Sequence, residues 1–458
     1  MVVEKTNHLN SRRLPTIAVT LFDEQVVRNY LINGAGSFFR DIGSVYKVLI
    51  LTRSELLPVI TEFLLPIRDL VDYRIYEISI PRSTFSYRIL SLLARSLNHS
   101  SSNAWSIRRR YARGEISYLA KILRLQFNRA FSKNRAVIFI VRYIFKYNHG
   151  ISDSDCEILV SQKIDLFFLT SATNFDWDSR IGSFCNRKRL KLICTPRSWD
   201  NLTSHGIMRY EPDIICVFTE AMKKHVKELH FFRKAEVQVI QSPAYQYLDS
   251  KKDFNGIKKP TQLTRILYAC TGSLLYPDEV STLYALHEYC ATRVEKVEVF
   301  ILEHPKFRYP RGVIEDLPTF KWACFPYSKQ KEGTGALLSL LKTCDVILSA
   351  GSSIALDALS IGKLPISLFI EHFAFEGRYH WLSISRYRDS VQHFYEFIDE
   401  VKPKVITDLS ELYCLLDQSI GRTQKNAPVI SVDHLQFYFG LGKGKLMAKV
   451  LNSMVRIN

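Results

Sequence analysis

Residues 345–369 read DVILSAGSSIALDALSIGKLPISLF, and the fold turns on them. The apolar run 346–350 is too short for a helix and suits a fully buried strand. Gly351-Ser352-Ser353 then makes a turn, a helix begins near Ile354, and 364–370 is a second buried strand. Strand, glycine turn, helix and strand in direct succession form one unit of a parallel sheet, because parallel neighbours need a helical crossover.

The same alternation extends in both directions. RILYACT (265–271), VEVFILEHP (297–305) and FKWACFP (320–326) precede this stretch, and KVIT (404–407) follows it. The first half carries its own series: TIAVTLFD (16–23), VYKVLILT (45–52), YRIYEISI (73–80), IDLFFLT (164–170), LKLICTP (190–196), IICVFT (214–219) and VQVIQSP (237–243). Unbroken apolar strands belong to sheets covered by helices on both faces. The expected fold class is therefore α/β, with two Rossmann-like doubly wound domains facing across a cleft. The first spans 1–250 and contains a basic helical insertion at 82–150. The polar, lysine-rich stretch 251–263, with Gly256 and Pro260, is the linker, and 264–430 is the second domain. Residues 431–458 supply a C-terminal helix expected to pack back on the first domain. Ligands of such sheets bind at the carboxyl ends of the strands.

Composition agrees with a large folded protein: of 458 residues, 47% are hydrophobic and 23% charged, which excludes disordered and collagenous classes. Nine cysteines form no CxxC pair and several lie in apolar strands, the pattern of reduced core thiols. No signal sequence and no apolar run of membrane-spanning length stands out, so the expected location is cytoplasmic, peripheral on the inner face of the cell membrane.

The net charge of +17 arises from 62 Lys+Arg against 45 Asp+Glu, and it is concentrated. Between residues 82 and 150 stand 14 Lys/Arg and a single acid, Glu115. Tyr118, Leu119, Ile122, Leu123, Phe127, Ala130 and Phe131 recur there at helical spacing. A basic amphipathic helix of this kind either lies on an anionic membrane or packs its apolar stripe on its own domain. On the first reading Arg108, Arg109, Arg110, Arg113, Lys121 and Arg124 bind the membrane. Nucleic acid is not an expected partner, because no RNP, zinc-finger or helix-turn-helix signature is present and the aromatics sit in apolar stripes.

Two features carry chemistry in the second half. Free N–H groups at the helix start after Gly351, with the hydroxyls of Ser352 and Ser353, suit a phosphate; the plain alternative is an N-cap serine. Glu303-His304-Pro305 ends a strand of the same domain, so a parallel sheet brings His304 to the same edge, where it can donate to a leaving phosphate. Gly272 and Ser273 follow the strand ILYACT on that edge. In the first half, Asp200 follows LKLICTP and is the first candidate base for a hydroxyl, with Asp23 and Glu24 competing and His205 also able to serve. Alternatively Asp200 and Asn201 only shape a turn.

His304-Pro305, Ser352-Ser353, Asp357-Ala358 and Gly362-Lys363-Leu364-Pro365 together resemble the C-terminal domain of GT-B glycosyltransferases of bacterial surface polysaccharide (capsule and lipopolysaccharide) synthesis. The likeness is to the HP/SS-motif polysialyltransferases and Kdo transferases that use CMP-sugars, and to polymer transferases using CDP-glycerol. It implies that His304, Ser352 and Ser353 contact the donor nucleotide and its phosphate, with Gly351, Pro305, Glu303, Gly272 and Ser273 nearby. The segment 198–206, SWDNLTSHG, resembles a motif of uncharacterised surface-carbohydrate transferases in which lysine usually stands at the position of His205. The implied partners are a nucleotide-activated sugar, a glycan or lipid-linked acceptor and an anionic membrane, with no cofactor and no metal. The pairs Asp153/Asp155 and Asp176/Asp178 match a metal-binding DxD pattern of another fold, as chance allows. A sugar-nucleotide epimerase, a CDP-polyol phosphotransferase or a catalytically silent membrane scaffold would share the fold.

Overall fold

A computed structural model describes residues 14–32, 37–79, 84–148, 151–173, 176–245, 263–304, 309, 312–313, 316–323, 335–420 and 447–454. Among them the chain divides into two compact units. The first comprises 1–104, 122–247 and 439–458, and the second comprises 105–121 and 248–438.

The first unit is built on a seven-stranded sheet: β1 (Thr16–Leu21), β2 (Lys47–Thr52), β3 (Tyr73–Glu77), β4 (Leu166–Leu169), β5 (Leu192–Cys194), β6 (Ile214–Val217) and β7 (Glu236–Val239). Its order is β3-β2-β1-β4-β5-β6-β7, and every pairing is parallel. Chain direction across the sheet reverses between β1 and β4, which is the switch point of a doubly wound fold. The central strands are buried end to end, as their unbroken apolar sequences require. A helix at Met447–Ser453 joins this core through Met447, Val450 and Leu451, and the Tyr46 hydroxyl donates to Leu451 O at 2.6 Å.

The second unit has six parallel strands: β8 (Thr264–Ala269), β9 (Val297–Leu302), β10 (Phe320–Ala323), β11 (Val346–Ser349), β12 (Ile366–Leu368) and β13 (Lys404–Ile406). They run in the order β10-β9-β8-β11-β12-β13, with the switch point between β8 and β11. The helix after Gly351 spans Ile354–Ser360. Gly362 closes it at φ +79°, and the Lys363 ammonium donates to the carbonyls of Leu341 (2.9 Å), Lys342 (2.8 Å) and Cys344. Lys363 thus satisfies orphan carbonyls at the end of helix Gly335–Thr343, which precedes β11.

The basic segment forms four helices, Phe85–Ser96, Ser101–Ala112, Tyr118–Phe131 and Arg135–Tyr147. It does not all belong to the first domain: Trp105–Lys121 groups with the second unit, where Trp105 meets the Tyr387 ring edge-on at 5.2 Å and Arg108 lies 4.5 Å over Trp381. The remainder packs in the first unit, sharing one apolar cluster of Tyr87, Leu90, Ala94, Leu97, Ile138, Val141, Phe145 and Ile207.

Candidate functional site

In the second unit, register aligns the ends of three strands. Leu302 of β9 stands beside Ala269 of β8, which stands beside Ser349 of β11. Glu303-His304, Cys270–Ser273 and Ala350–Ser353 therefore leave one sheet edge together, the outer two strands separated by about 10 Å. The Thr271 hydroxyl donates to Ala350 O at 2.7 Å and fastens two of these ends across the switch point.

Gly351 adopts φ +72°, which favours glycine, and a Cβ there would meet Cε1 of Tyr387 at 2.3 Å. The Tyr387 hydroxyl donates to Gly351 O at 2.9 Å, so the turn is seated on the ring. Ser352 is half-buried and its Oγ accepts weakly from Ile354 N at 3.4 Å. Ser353 is exposed at the N-cap position and makes no side-chain cap bond. With only seven residues in the helix, its dipole is small, and any anion there would rely on hydroxyls and backbone donors.

His304 is half-buried at the end of β9, while Pro305 lies outside the described residues. Glu303 is buried, and its Oε1 has no hydrogen-bond partner among the described residues. A buried acceptor in that state is costly unless something donates to it. Gly272 has φ +89°, but its N–H is already committed: it donates to Glu279 Oε2 at 2.9 Å, and Thr271 N donates to Oε1 at 2.7 Å. The hydroxyls of Tyr268 (3.3 Å) and Tyr309 complete four donors on this fully buried carboxyl. Burial pushes Glu279 up to about 7 against the pull of those donors. Gly272 thus leaves only its missing side chain and its neighbour, the exposed Ser273, toward a ligand. Sequence reading missed Glu279, the first residue of a helix of unremarkable pattern; the signal was the acidic pair Asp278-Glu279 at a helix start shortly after a strand-ending glycine.

In the first unit, Asp23 caps the short helix Glu24–Val27 by accepting from Gln25 N at 2.9 Å, and half-buried Glu24 follows it. Arg197 donates to Asp23 Oδ2 at 2.9 Å, joining the end of β1 to the loop after β5. That loop leads to Asp200, whose carbonyl caps Thr203 and Ser204 and whose Oδ1 accepts from Asn201 at 3.1 Å. Asn201 is buried and its Oδ1 accepts from Ser198 N at 3.0 Å, a turn-shaping role that takes it out of reach of an acceptor. His205 is half-buried, and loss of water pulls its pKa to about 4, partly offset by Asp200. It is therefore neutral at pH 7, a weak base whose ring can accept or donate a hydrogen bond. The structure thus brings Asp23, Asp200 and His205 to one strand edge around Arg197.

At the switch point between β1 and β4 lies an acid of the Asp176/Asp178 pair. Asp178 is fully buried, held by the Thr20 hydroxyl, and raised to about 7 by burial, opposed by that hydrogen bond and reinforced by Asp23. Its neighbour Asp176 is bound by Arg180 (2.9 Å) and Arg209; burial raises it, but the two guanidinium groups win and hold it low. Asp155 accepts from the Tyr76 hydroxyl at 3.0 Å and from the hydroxyl of the N-cap Ser152 at 2.6 Å. Among the described residues no three His, Cys, Asp or Glu side chains are placed to hold a metal.

The insertion braces the 198–206 segment from within. Asn98 donates to Leu202 O (2.9 Å) and Gly206 O (3.1 Å), Ser100 to Thr203 O, and Ile207 N to Ala94 O at 3.1 Å. Gly206, at φ +84°, lets this backbone approach: a Cβ would lie 2.5 Å from Arg95 Cα. Arg142 is buried and donates to the carbonyls of Met208 (2.9 Å), Phe231 (3.2 Å) and His230. His230 accepts from Met208 N and so carries its proton on Nε2, facing Leu202 O at 3.0 Å.

Several arginines expected at a membrane are engaged internally instead. Arg124 is buried and donates to Ser96 at 3.1 Å, so it cannot face lipid. Arg109 stacks on Trp105 at 4.9 Å, and desolvation lowers it to about 10. Arg110 and Arg113 share Glu115 at 3.0 and 2.8 Å, and Lys121 sits 4.2 Å over Tyr111. A separate cavity lined by Leu14, Lys47, Asp72, Arg74 and Gln162 opens where the strands of the first sheet begin, away from all these groups.

No family model matches the chain, and no curated protein matches it by sequence. Solved structures do match over almost its full length. A putative UDP-N-acetylglucosamine 2-epimerase from Listeria monocytogenes has a TM-score of 0.51 at 12% identity, covering 97% of this chain and 96% of that one. The UDP-GlcNAc 2-epimerase from Methanocaldococcus jannaschii has a TM-score of 0.50 at 10% identity, covering 97% and 100%. The glycosyltransferase of kitacinnamycin has a TM-score of 0.52 at 10% identity, covering 97% and 99%. At such identities the likeness shows the fold alone: this chain has the GT-B fold of two Rossmann-like domains.

Proposed function

We propose that the protein is a glycosyltransferase that moves a sugar from a nucleotide-activated donor, with CMP-sugars favoured, to a hydroxyl of a membrane-associated glycan or lipid-linked acceptor. The observation that carries this reading is the aligned edge of the second sheet, where Ser352, Ser353, His304 and Glu303 surround a switch point. Ser352, Ser353 and the backbone at Gly351 would hold the donor phosphate. His304, with Pro305, would donate to the leaving nucleotide phosphate. The unpartnered Glu303 oxygen would accept from a donor hydroxyl, replacing the hydrogen bond it lacks. In the first unit Asp200 would deprotonate the acceptor, with neutral His205 and Asp23 as its neighbours and Arg197 fixing the geometry. No metal enters this scheme. No helix among the described residues is long and apolar enough to cross a membrane, so an acceptor in lipid would be reached from the surface.

Epimerisation of a sugar nucleotide is the second reading, favoured by the fold of the two epimerases above. The two separate on products. With CMP-, CDP- and UDP-linked sugars, transfer releases the nucleotide only when a saccharide acceptor is added and extends that acceptor. Conversion of the sugar nucleotide, in the absence of acceptor, to a sugar inverted at one carbon, whether still nucleotide-linked or released by water, would instead establish the epimerase reading.

A further inference from the structure

Two helices of the insertion are apolar on both sides. Helix Arg135–Tyr147 buries Ile138, Val141 and Phe145, and on the opposite side exposes Ile140 (58%), Tyr143 (62%), Ile144 and Tyr147. Helix Phe85–Ser96 buries Tyr87, Leu90 and Ala94 and exposes Phe85 (79%), Ile89 and Leu92. Their buried sides meet, with the Tyr87 and Phe145 rings 5.6 Å apart. Helix Tyr118–Phe131 likewise exposes Leu119 and Leu123. A helix with one apolar face is complete when that face is packed; a second, solvent-facing stripe needs a partner.

Charge says which partner. Arg88, Arg129, Lys133 and Arg135 are exposed beside these stripes, and the one acid of the segment, Glu115, is taken by Arg110 and Arg113. The Tyr143 and Tyr147 rings meet at a tilt, 4.9 Å apart, with Lys146 alongside; each ring has an apolar body and a polar tip. Apolar stripes with tyrosines, rimmed on separate helices by bases that form no ion pair among the described residues, match the boundary of an anionic bilayer.

We infer that the outward stripes Phe85/Ile89/Leu92 and Ile140/Tyr143/Ile144/Tyr147 are the surface by which the protein enters an anionic lipid interface, the arginines at 108–113 and 124 serving internal packing instead. This deepens the membrane part of the proposed function and rests on it only for its purpose, since docking needs no nucleotide.

The test is co-sedimentation of the full chain with vesicles of phosphatidylglycerol and phosphatidylcholine, and of phosphatidylcholine alone. The wild type binds the anionic vesicles at least about tenfold more tightly. Ile140→Ser/Tyr143→Ser/Ile144→Ser lowers that binding about tenfold or more, while Val294→Ser, an exposed apolar site in the second unit, leaves it unchanged. Arg88→Gln/Arg129→Gln/Arg135→Gln lowers it chiefly at low salt. Unaltered circular dichroism shows that each variant folds. Wild-type affinity in the apolar triple variant, or no vesicle binding by the wild type, overturns the inference. So does a wild-type dimer that the triple variant turns into a monomer without any vesicle binding. Vesicle binding by a protein that binds no nucleotide would sink the transferase reading and leave the docking surface standing.

Discussion

Gly351→Ala probes the turn on which the donor side depends. At φ +72° an alanine would be held in the left-handed region, at a cost of about 1–2 kcal/mol. Its Cβ would also lie 2.3 Å from Cε1 and 3.2 Å from Cζ of Tyr387. That ring cannot simply withdraw: it is buried, wedged by Trp105 at 5.2 Å and Phe394 at 5.7 Å, and anchored by its hydroxyl on Gly351 O. Overpacking of this kind adds about 1–3 kcal/mol, so the total is about 2–5 kcal/mol. Tyr387→Phe, which removes one hydrogen bond, should cost only about 1 kcal/mol. Gly351→Ala combined with Tyr387→Leu should recover the steric part and keep the backbone part, a coupling of at least about 1 kcal/mol. Urea unfolding followed by circular dichroism reads these costs. A Gly351→Ala protein within about 0.5 kcal/mol of wild type, or an additive double variant, would refute the geometry of the turn.

Three further outcomes follow from the same contacts. Asp200→Asn should cut turnover by about 10²- to 10⁴-fold and leave nucleotide affinity unchanged, because the carboxylate is assigned to the acceptor; equal losses in both would place it elsewhere. Arg142→Met should destabilise the first unit by about 3 kcal/mol or more, since three buried carbonyls lose their donor, and a denaturation midpoint equal to wild type would contradict this. Glu279 and Asp178 bind protons more tightly folded than unfolded, so their contributions are greatest below the unfolded values of 4.5 and 3.8. Those contributions are lost as pH rises toward about 7. Stability should therefore fall between about pH 4 and about pH 7 by about 3 kcal/mol per acid, and Glu279→Gln should flatten that slope; an unchanged slope would remove Glu279 as its source.

The strands were legible because a parallel sheet buried on both faces leaves a plain apolar signature; every run read as a strand became one. Gly351 and the serine turn were legible for the same reason, as punctuation between two such runs. The insertion was only half legible. Its periodicity showed an amphipathic helix at 118–131 but not which face is inside, and Arg124 lies on the buried side beside Ser96. Asn201 looked like a site residue and closes a turn, because an amide beside a strand end serves either use equally well. Arg197 and Tyr387 were invisible for a different reason: each acts through a partner distant in sequence, Asp23 for Arg197 and Gly351 for Tyr387, while Asp178 showed only as half of a chance-level DxD pair.

The central claim is that the edge around Ser352, Ser353 and His304 holds an activated nucleotide. Calorimetric titration of CMP, CDP, UDP and GDP into the wild type and into Ser352→Ala/Ser353→Ala tests it most directly. The account predicts saturable binding, tightest for a cytidine nucleotide and weakened at least tenfold in the double variant. No binding by any of the four, or equal affinity in the two proteins, would contradict it.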